Sequence, residues 1–225
     1  MNLAPFPLFL VLFSGLCWTV VYIDCIRLGL KESTCAMPLW ALALNFAWEL
    51  FQTVYEYRAA GQVLQVGITT LWLLLDCGIF YTWFRFGKKQ FPANLKASWF
   101  MPWSLLVLLT SFLLQYFFLL EFGLYVGRAY AAFLQNLLMS VLFIGMLVNR
   151  GSREGQSLTI AVGKWLGTLA PTILFGLVGA HGFSGTNRLI LVTGLFCSLF
   201  DLLYIGMLVR VKALEKRGEP LAMLF

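Results

Sequence analysis

Glu49 is a carboxylate inside an apolar stretch, 37–54, in the run Asn45-Phe46-Ala47-Trp48-Glu49. Asp201 lies in the last apolar stretch in the same way, within Phe200-Asp201-Leu202-Leu203-Tyr204, and Asp76 falls near the middle of a third one. Ionisable side chains at membrane depth are costly and mark function by default. Burial in low dielectric disfavours the charged form of a carboxyl, so at least one of Glu49 and Asp201 is expected to carry its proton at neutral pH. A neutral buried acid beside an apolar substrate is a proton donor to a basic carbon or oxygen. Two such acids in contact would titrate as a pair. The competing role is structural: each acid hydrogen-bonds Asn45, Ser198 or another neighbour and fixes helix register.

Spacing gives these acids company. Asn45, Glu49, Gln52 and Glu56 follow steps of four, three and four, which puts them on one helical face. Thr69, Trp72 and Asp76 repeat that geometry, and Ser198, Asp201 and Tyr204 nearly do. Polar stripes of this kind cannot face lipid. With Gln115, Gln135 and Asn136 they predict a central cavity, open toward the outer face and lined by three acids, amides and aromatic rings. Trp48 and Trp72 lie about one turn or less from an intramembrane acid. Their faces either stabilise a cation in the cavity or pack helices. Trp40, Trp83, Trp99, Trp103 and Tyr130 read as interfacial belt residues.

The elements that must position these groups follow from composition. Of 225 residues 60% are hydrophobic and only 12% charged, and the mean hydropathy is +0.84. Such a chain is an all-α, multi-pass membrane protein. Seven apolar segments of membrane-spanning length can be read, at 6–26, 37–55, 64–84, 102–120, 130–148, 158–180 and 189–209. They fill nearly all of 1–225 and leave a single seven-transmembrane-helix domain with no room for another. With seven crossings, Arg27, Lys31, Arg85, Lys88, Lys89, Lys96, Arg150, Arg153, Arg210, Lys212, Lys216 and Arg217 share one side, and only Arg58, Arg128 and Arg188 take the other. The positive-inside rule then puts the N-terminus outside or lumenal and the C-terminus in the cytosol. The net charge of +6 is thereby a matter of topology and implies no nucleic-acid partner.

The first segment lacks a basic lead and a small-residue cleavage pattern, so it is expected to stay as a span. The five cysteines form no CxxC pair and read as small buried hydrophobes, against a metal site or a thiol relay. The one histidine, His181, is a loop residue. Turns are marked at Gly61, Gly87 with Pro92, Gly123, 150–155 and 182–185. Pro102 opens a span, and Pro171 predicts a kink whose freed carbonyl is met by a neighbouring helix or Thr168. The tail, 212–225, reads as a basic amphipathic anchor.

The run Asn45-Phe46-Ala47-Trp48-Glu49, the acid at 201, the motif Asn149-Arg150-Gly151-Ser152-Arg153-Glu154-Gly155-Gln156-Ser157 and the following Lys164-Trp165-Leu166-Gly167-Thr168 are similar to those of a known family. The chain resembles the integral-membrane terpene cyclases of fungal meroterpenoid and indole-diterpene pathways, of paspaline and pyripyropene type, and their bacterial drimentine-type relatives. The resemblance implies a cyclase started by protonation, with Glu49 and Asp201 as its acids. The substrate would be a prenylated small molecule: a farnesyl or longer chain on an aromatic, polyketide or indole-containing head. Asn45, Trp48, Trp72, Asp76, Gln135, Ser198, Tyr204 and Lys164 are the candidate substrate-binding residues. Lys164 departs from the arginine expected in many fungal members, which leaves it either a head-group ligand or a side chain snorkelling to the cytosolic surface. The enzyme would act downstream of a prenyltransferase, with or without a flavin epoxidase. It would reside in the endoplasmic reticulum if fungal and in the plasma membrane if bacterial.

The residues agree with that implication. Metal-dependent terpene chemistry needs aspartate clusters, and the only three aspartates, Asp24, Asp76 and Asp201, lie in different spans. No metal and no cofactor is therefore expected. A small proton-coupled transporter is the alternative, since it too uses intramembrane acids, but no internal repeat supports it. A retinal-type photoreceptor would need a lysine at 189–209, and none is present.

Overall fold

A computed structural model describes residues 4–58, 63–92, 94–179 and 183–219. The turn at Gly61, His181, Gly182 and the end of the tail, 220–225, lie outside the described residues. The rest is helical: α1 Pro5–Glu32, α2 Leu39–Arg58, α3 Val63–Phe86, α4 Phe100–Arg150, α5 Leu158–Ile173 and α6 Arg188–Arg217. Short 3-10 turns at Gly87–Gln90 and Ala97–Trp99 lead into α4, and a π turn at Leu174–Val178 extends α5. Among the described residues five helices are long and apolar enough to cross a membrane. The shorter α2 is not one of them, because its inner face carries Asn45, Glu49, Gln52 and Glu56.

With 51 residues, α4 is more than twice the length a bilayer core requires. Gly123 breaks it, at φ 73 and ψ 171, a backbone region open to glycine but not to side chains with a Cβ. The two arms, 100–122 and 124–150, then fold back against each other. Gln115 Nε2 donates to Gln135 Oε1 at 2.6 Å, although these residues would stand about 30 Å apart on a continuous helix. Gly127 permits the close approach, since a Cβ there would come within 2.5 Å of the Phe118 carbonyl oxygen.

The helices pack in the cyclic order α1, α3, α2, α4, α6, α5 and back to α1. Glycines tighten the α1–α5 seam. A Cβ at Gly163 would meet Val21 Cγ2 at 2.8 Å, and one at Gly167 would meet Trp18 Cδ1 at 2.8 Å; such small residues let membrane helices come close. Pro171 frees the carbonyl of Gly167, four residues back, and Ser14 Oγ on α1 donates to it at 2.7 Å. Thr168 is engaged elsewhere, donating to the Lys164 carbonyl at 2.9 Å. The outer surface is greasy, with Leu16, Leu74, Leu120 and Leu199 among its exposed side chains. Trp83 departs from its expected belt position. It is buried, stacks on Phe100 at 5.3 Å and donates to Ser104 Oγ.

Far from the start of α1, the connecting segments are tied together through the motif at 149–157. Arg150 Nη2 donates to the Cys35 carbonyl at 2.7 Å, the Gly155 amide to Glu32 Oε2 at 2.6 Å, and Arg153 pairs with Glu215. Ser157 caps α5 by accepting from the Ile160 amide and also donates to Asp24. This motif holds helix ends together and contributes nothing to the wall of the cavity described next.

Candidate active site

A cavity of about 1050 Å³, its opening included, lies in the half of the bundle where α1 begins. Its wall is mostly apolar and aromatic: Trp18 from α1, Trp48 from α2, Trp72 from α3, Phe133 from α4 and Phe175 from the π turn. One carboxylate stands in that wall, Glu49.

Glu49 is 1% exposed and held by a chain of hydrogen bonds. Tyr22 Oη donates to Glu49 Oε1 at 2.7 Å and accepts from Asn45 Nδ2 at 2.8 Å. Asn45 Oδ1 accepts from Gln135 Nε2 at 3.0 Å, and Gln135 in turn accepts from Gln115. Four helical segments thus fix one carboxyl. Buried polar chains of this kind rigidify what they connect. Glu49 Oε2 has no hydrogen-bond donor among the described residues. Asp76 lies behind it, fully buried and within hydrogen-bonding reach of Glu49, with no other partner for either of its oxygens. A proton on either acid can therefore bridge the two carboxyls.

Trp72 Nε1 donates to Thr19 Oγ1 at 3.1 Å, and its ring meets Tyr22 edge-on at 6.2 Å. Trp48 Nε1 donates to the Arg128 carbonyl at 2.9 Å, which fastens α2 to the second arm of α4. Asn45, Trp48, Trp72 and Gln135 all line the cavity.

The other expected members do not. The paired-acid picture, with Glu49 and Asp201 in one chamber, needs correcting: Asp201 is 1% exposed and absent from the cavity wall. Its Oδ1 forms an ion pair with Lys164 Nζ at 2.7 Å, and the same ammonium donates to Ser140 Oγ at 2.6 Å. Lys164 does not snorkel; it is 0% exposed, drawn inward because an acid one helix away neutralises it. This pair sits one layer behind the cavity residues Asn136 and Thr168, which bond to each other at 2.9 Å. Tyr204 reaches the other way. It donates to Gln156 Oε1 at 2.9 Å and packs its ring on Phe143. Ser198 is off the wall, its hydroxyl buried without a partner among the described residues. Asp76 supports Glu49 from behind and does not itself line the cavity. Among the described residues no three His, Cys, Asp or Glu side chains could hold a metal ion.

Two features escaped the sequence reading. Ser14, Trp18 and Tyr22 step by four along α1 and face the cavity together, a stripe masked by the apolar residues around it. Arg128, assigned to an outer loop, is instead 7% exposed on the cavity wall and ion-paired with Glu56. The buried Glu56 at the end of the polar stripe on α2 was the available signal, since a buried carboxylate needs a cation on a facing helix.

The Pyr4-family terpene cyclase mfmH of Annulohypoxylon moriforme is 29% identical over 168 residues, covering 74% of this chain and 68% of its own length. Terpene cyclase pyr4 of Aspergillus fumigatus is 26% identical over 216 residues, covering 93% and 88% respectively. No solved structure matches. The family described as Pyr4-like transmembrane terpene cyclases matches residues 2–213, and with so nearly complete a match the chain belongs to that family.

Proposed function

We propose that this membrane terpene cyclase protonates the terminal alkene or epoxide of a prenylated small molecule, using Glu49 as the acid, and closes rings through carbocations without a metal or cofactor. The single observation that carries this reading is the placement of Glu49. It is one carboxyl on an aromatic wall, tied through Oε1 to Tyr22 and with Oε2 buried and without a donor among the described residues. Protonated, Glu49 gives its proton to a carbon of the alkene or to the epoxide oxygen, whose C–O bond then breaks. The next double bond in the chain supplies the electron pair for each ring closure. The last cation loses a proton to a base, and the product is an isomer of the substrate. Asp76, in contact with Glu49 and closed off from the cavity, is suited to stabilise and return that proton. Trp18, Trp48, Trp72 and Phe133 line the cavity with aromatic rings, which favour a cation and exclude water.

In this reading Asp201 is a positioning residue that neutralises Lys164 and so braces Ser140, Asn136 and Thr168. The bundle crosses the membrane seven times if each arm of α4 and the polar α2 count as one crossing. The basic-residue asymmetry then orients it with the N-terminus outside or lumenal and the C-terminus cytosolic. A prenyltransferase, alone or with a flavin epoxidase, would supply the substrate. Conversion of a farnesylated phenol and its terminal epoxide in microsomes tests the central claim. Wild-type protein is expected to yield cyclised isomers and Glu49→Gln to yield none at equal folded amount; full cyclisation by the variant sinks the proposal.

A further inference from the structure

Arg128 and Glu56 form a second polar feature of the cavity, away from the acid. Both side chains are nine-tenths buried, at 9% and 8% exposed, and they pair through Arg128 Nη1 and Glu56 Oε1. Arg128 lines the cavity and Glu56 stands behind it. The guanidinium has five N–H donors in a planar fork. Among the described residues its hydrogen bonding is confined to Glu56, and none of its nitrogens is both sealed off and unpartnered. Arg128 itself lines the cavity, so its remaining donors are the ones a bound head group could meet there. The Tyr125 ring lies 5.8 Å from the guanidinium carbon, and Trp48 grips the Arg128 carbonyl, so the group is held at a fixed place.

Position gives this donor set a purpose. Glu56 is seven residues beyond Glu49 on α2, two turns or roughly 10 Å along the axis. It lies toward the end where α2 finishes and α3 begins. A prenyl chain whose tail reaches Glu49 would leave its head beside Arg128. Charge then narrows the head. With Glu56 alongside, the pair is neutral overall, so a diphosphate would find one compensated cation and no cluster. An oxygen acceptor would find free charge-assisted donors. A donor-only head such as indole would leave those donors unanswered, which is costly in a buried site.

We propose that the Arg128–Glu56 pair is a head-group subsite selecting prenylated molecules that carry an oxygen acceptor, a phenol, enol or carbonyl, over prenylated hydrocarbons, indoles and prenyl diphosphates. This rests on the cavity being the substrate site. Its test reads binding, so it stands or falls apart from the chemistry at Glu49. Tryptophan fluorescence of the protein in lipid nanodiscs, corrected for ligand partitioning into empty discs, gives affinities for a farnesylated phenol, a farnesylated benzene, a farnesylated indole and farnesyl diphosphate. The phenol is expected to bind about ten-fold tighter than the other three. That advantage should vanish in Arg128→Met paired with Glu56→Gln, which removes both charges and leaves neither buried alone. It should persist in Glu49→Gln, where conversion is lost. Equal affinity of the wild-type protein for phenol and benzene, tighter binding of the indole or the diphosphate, or an unchanged preference in the double variant would each overturn the assignment.

Discussion

Asp201→Asn separates a catalytic acid from a structural one. The substitution removes the charge that neutralises Lys164, whose side chain is 0% exposed and, among the described residues, otherwise donates only to Ser140. Breaking a buried ion pair by removing one partner costs about 3–5 kcal/mol, because a bare charge stays behind. At about 1.4 kcal/mol per decade, the ratio of folded to unfolded protein falls by at least two orders of magnitude. Replacing both members is different, since neutral groups of similar volume are often tolerated at no net cost. Lys164→Met combined with Asp201→Asn is therefore expected to recover most of the stability that Asp201→Asn loses. Thermal melts followed by fluorescence-detected size exclusion give the stabilities, and conversion per folded molecule gives the activity. If Asp201 positions rather than reacts, the double variant folds and converts substrate within about ten-fold of wild type, the scale on which an indirect contact acts. A double variant that melts like wild type yet makes no product would place Asp201 in the chemistry and refute the reasoning.

Tyr22→Phe removes the donor to Glu49 Oε1 and the acceptor for Asn45 Nδ2 together. A loss of about 1–3 kcal/mol in transition-state stabilisation is expected in kcat/KM, and an unchanged rate would detach this chain from catalysis. Trp48→Phe keeps a ring in the cavity but gives up the bond to the Arg128 carbonyl. Product ratio or rate should change more than expression; identical products at an identical rate would reduce Trp48 to packing. Gly127→Val sets side-chain carbons against the Phe118 carbonyl and should open the hairpin in α4, read as a loss of folded protein; a normal melt would contradict the close approach. Chelation by EDTA should leave turnover intact, and activity lost to EDTA but restored by magnesium would contradict the metal-free proposal.

Sequence by itself determined the class and much of the inner surface. Low charge and long apolar runs leave helices as the only way to satisfy a backbone in lipid, and a polar stripe with a period near four has to face inward. That reasoning brought Asn45, Trp48, Glu49, Trp72 and Gln135 to one cavity because most of them sit on stripes whose direction the helix period fixes. Gly123 was legible as a turn because glycine punctuates the chain between the apolar segments 102–120 and 130–148. What periodicity cannot supply is which stripe meets which. The face of α6 that bears Asp201 turns to Lys164 and Ser140 rather than to the cavity, and Asp76 turns to Glu49. Arg128 moved from an expected loop onto the cavity wall because Glu56, two turns beyond Glu49, required a cation. The Lys164–Asp201 and Arg128–Glu56 pairs join residues 37 and 72 positions apart, and charge compensation across helices, decided only when the bundle closes, selects them.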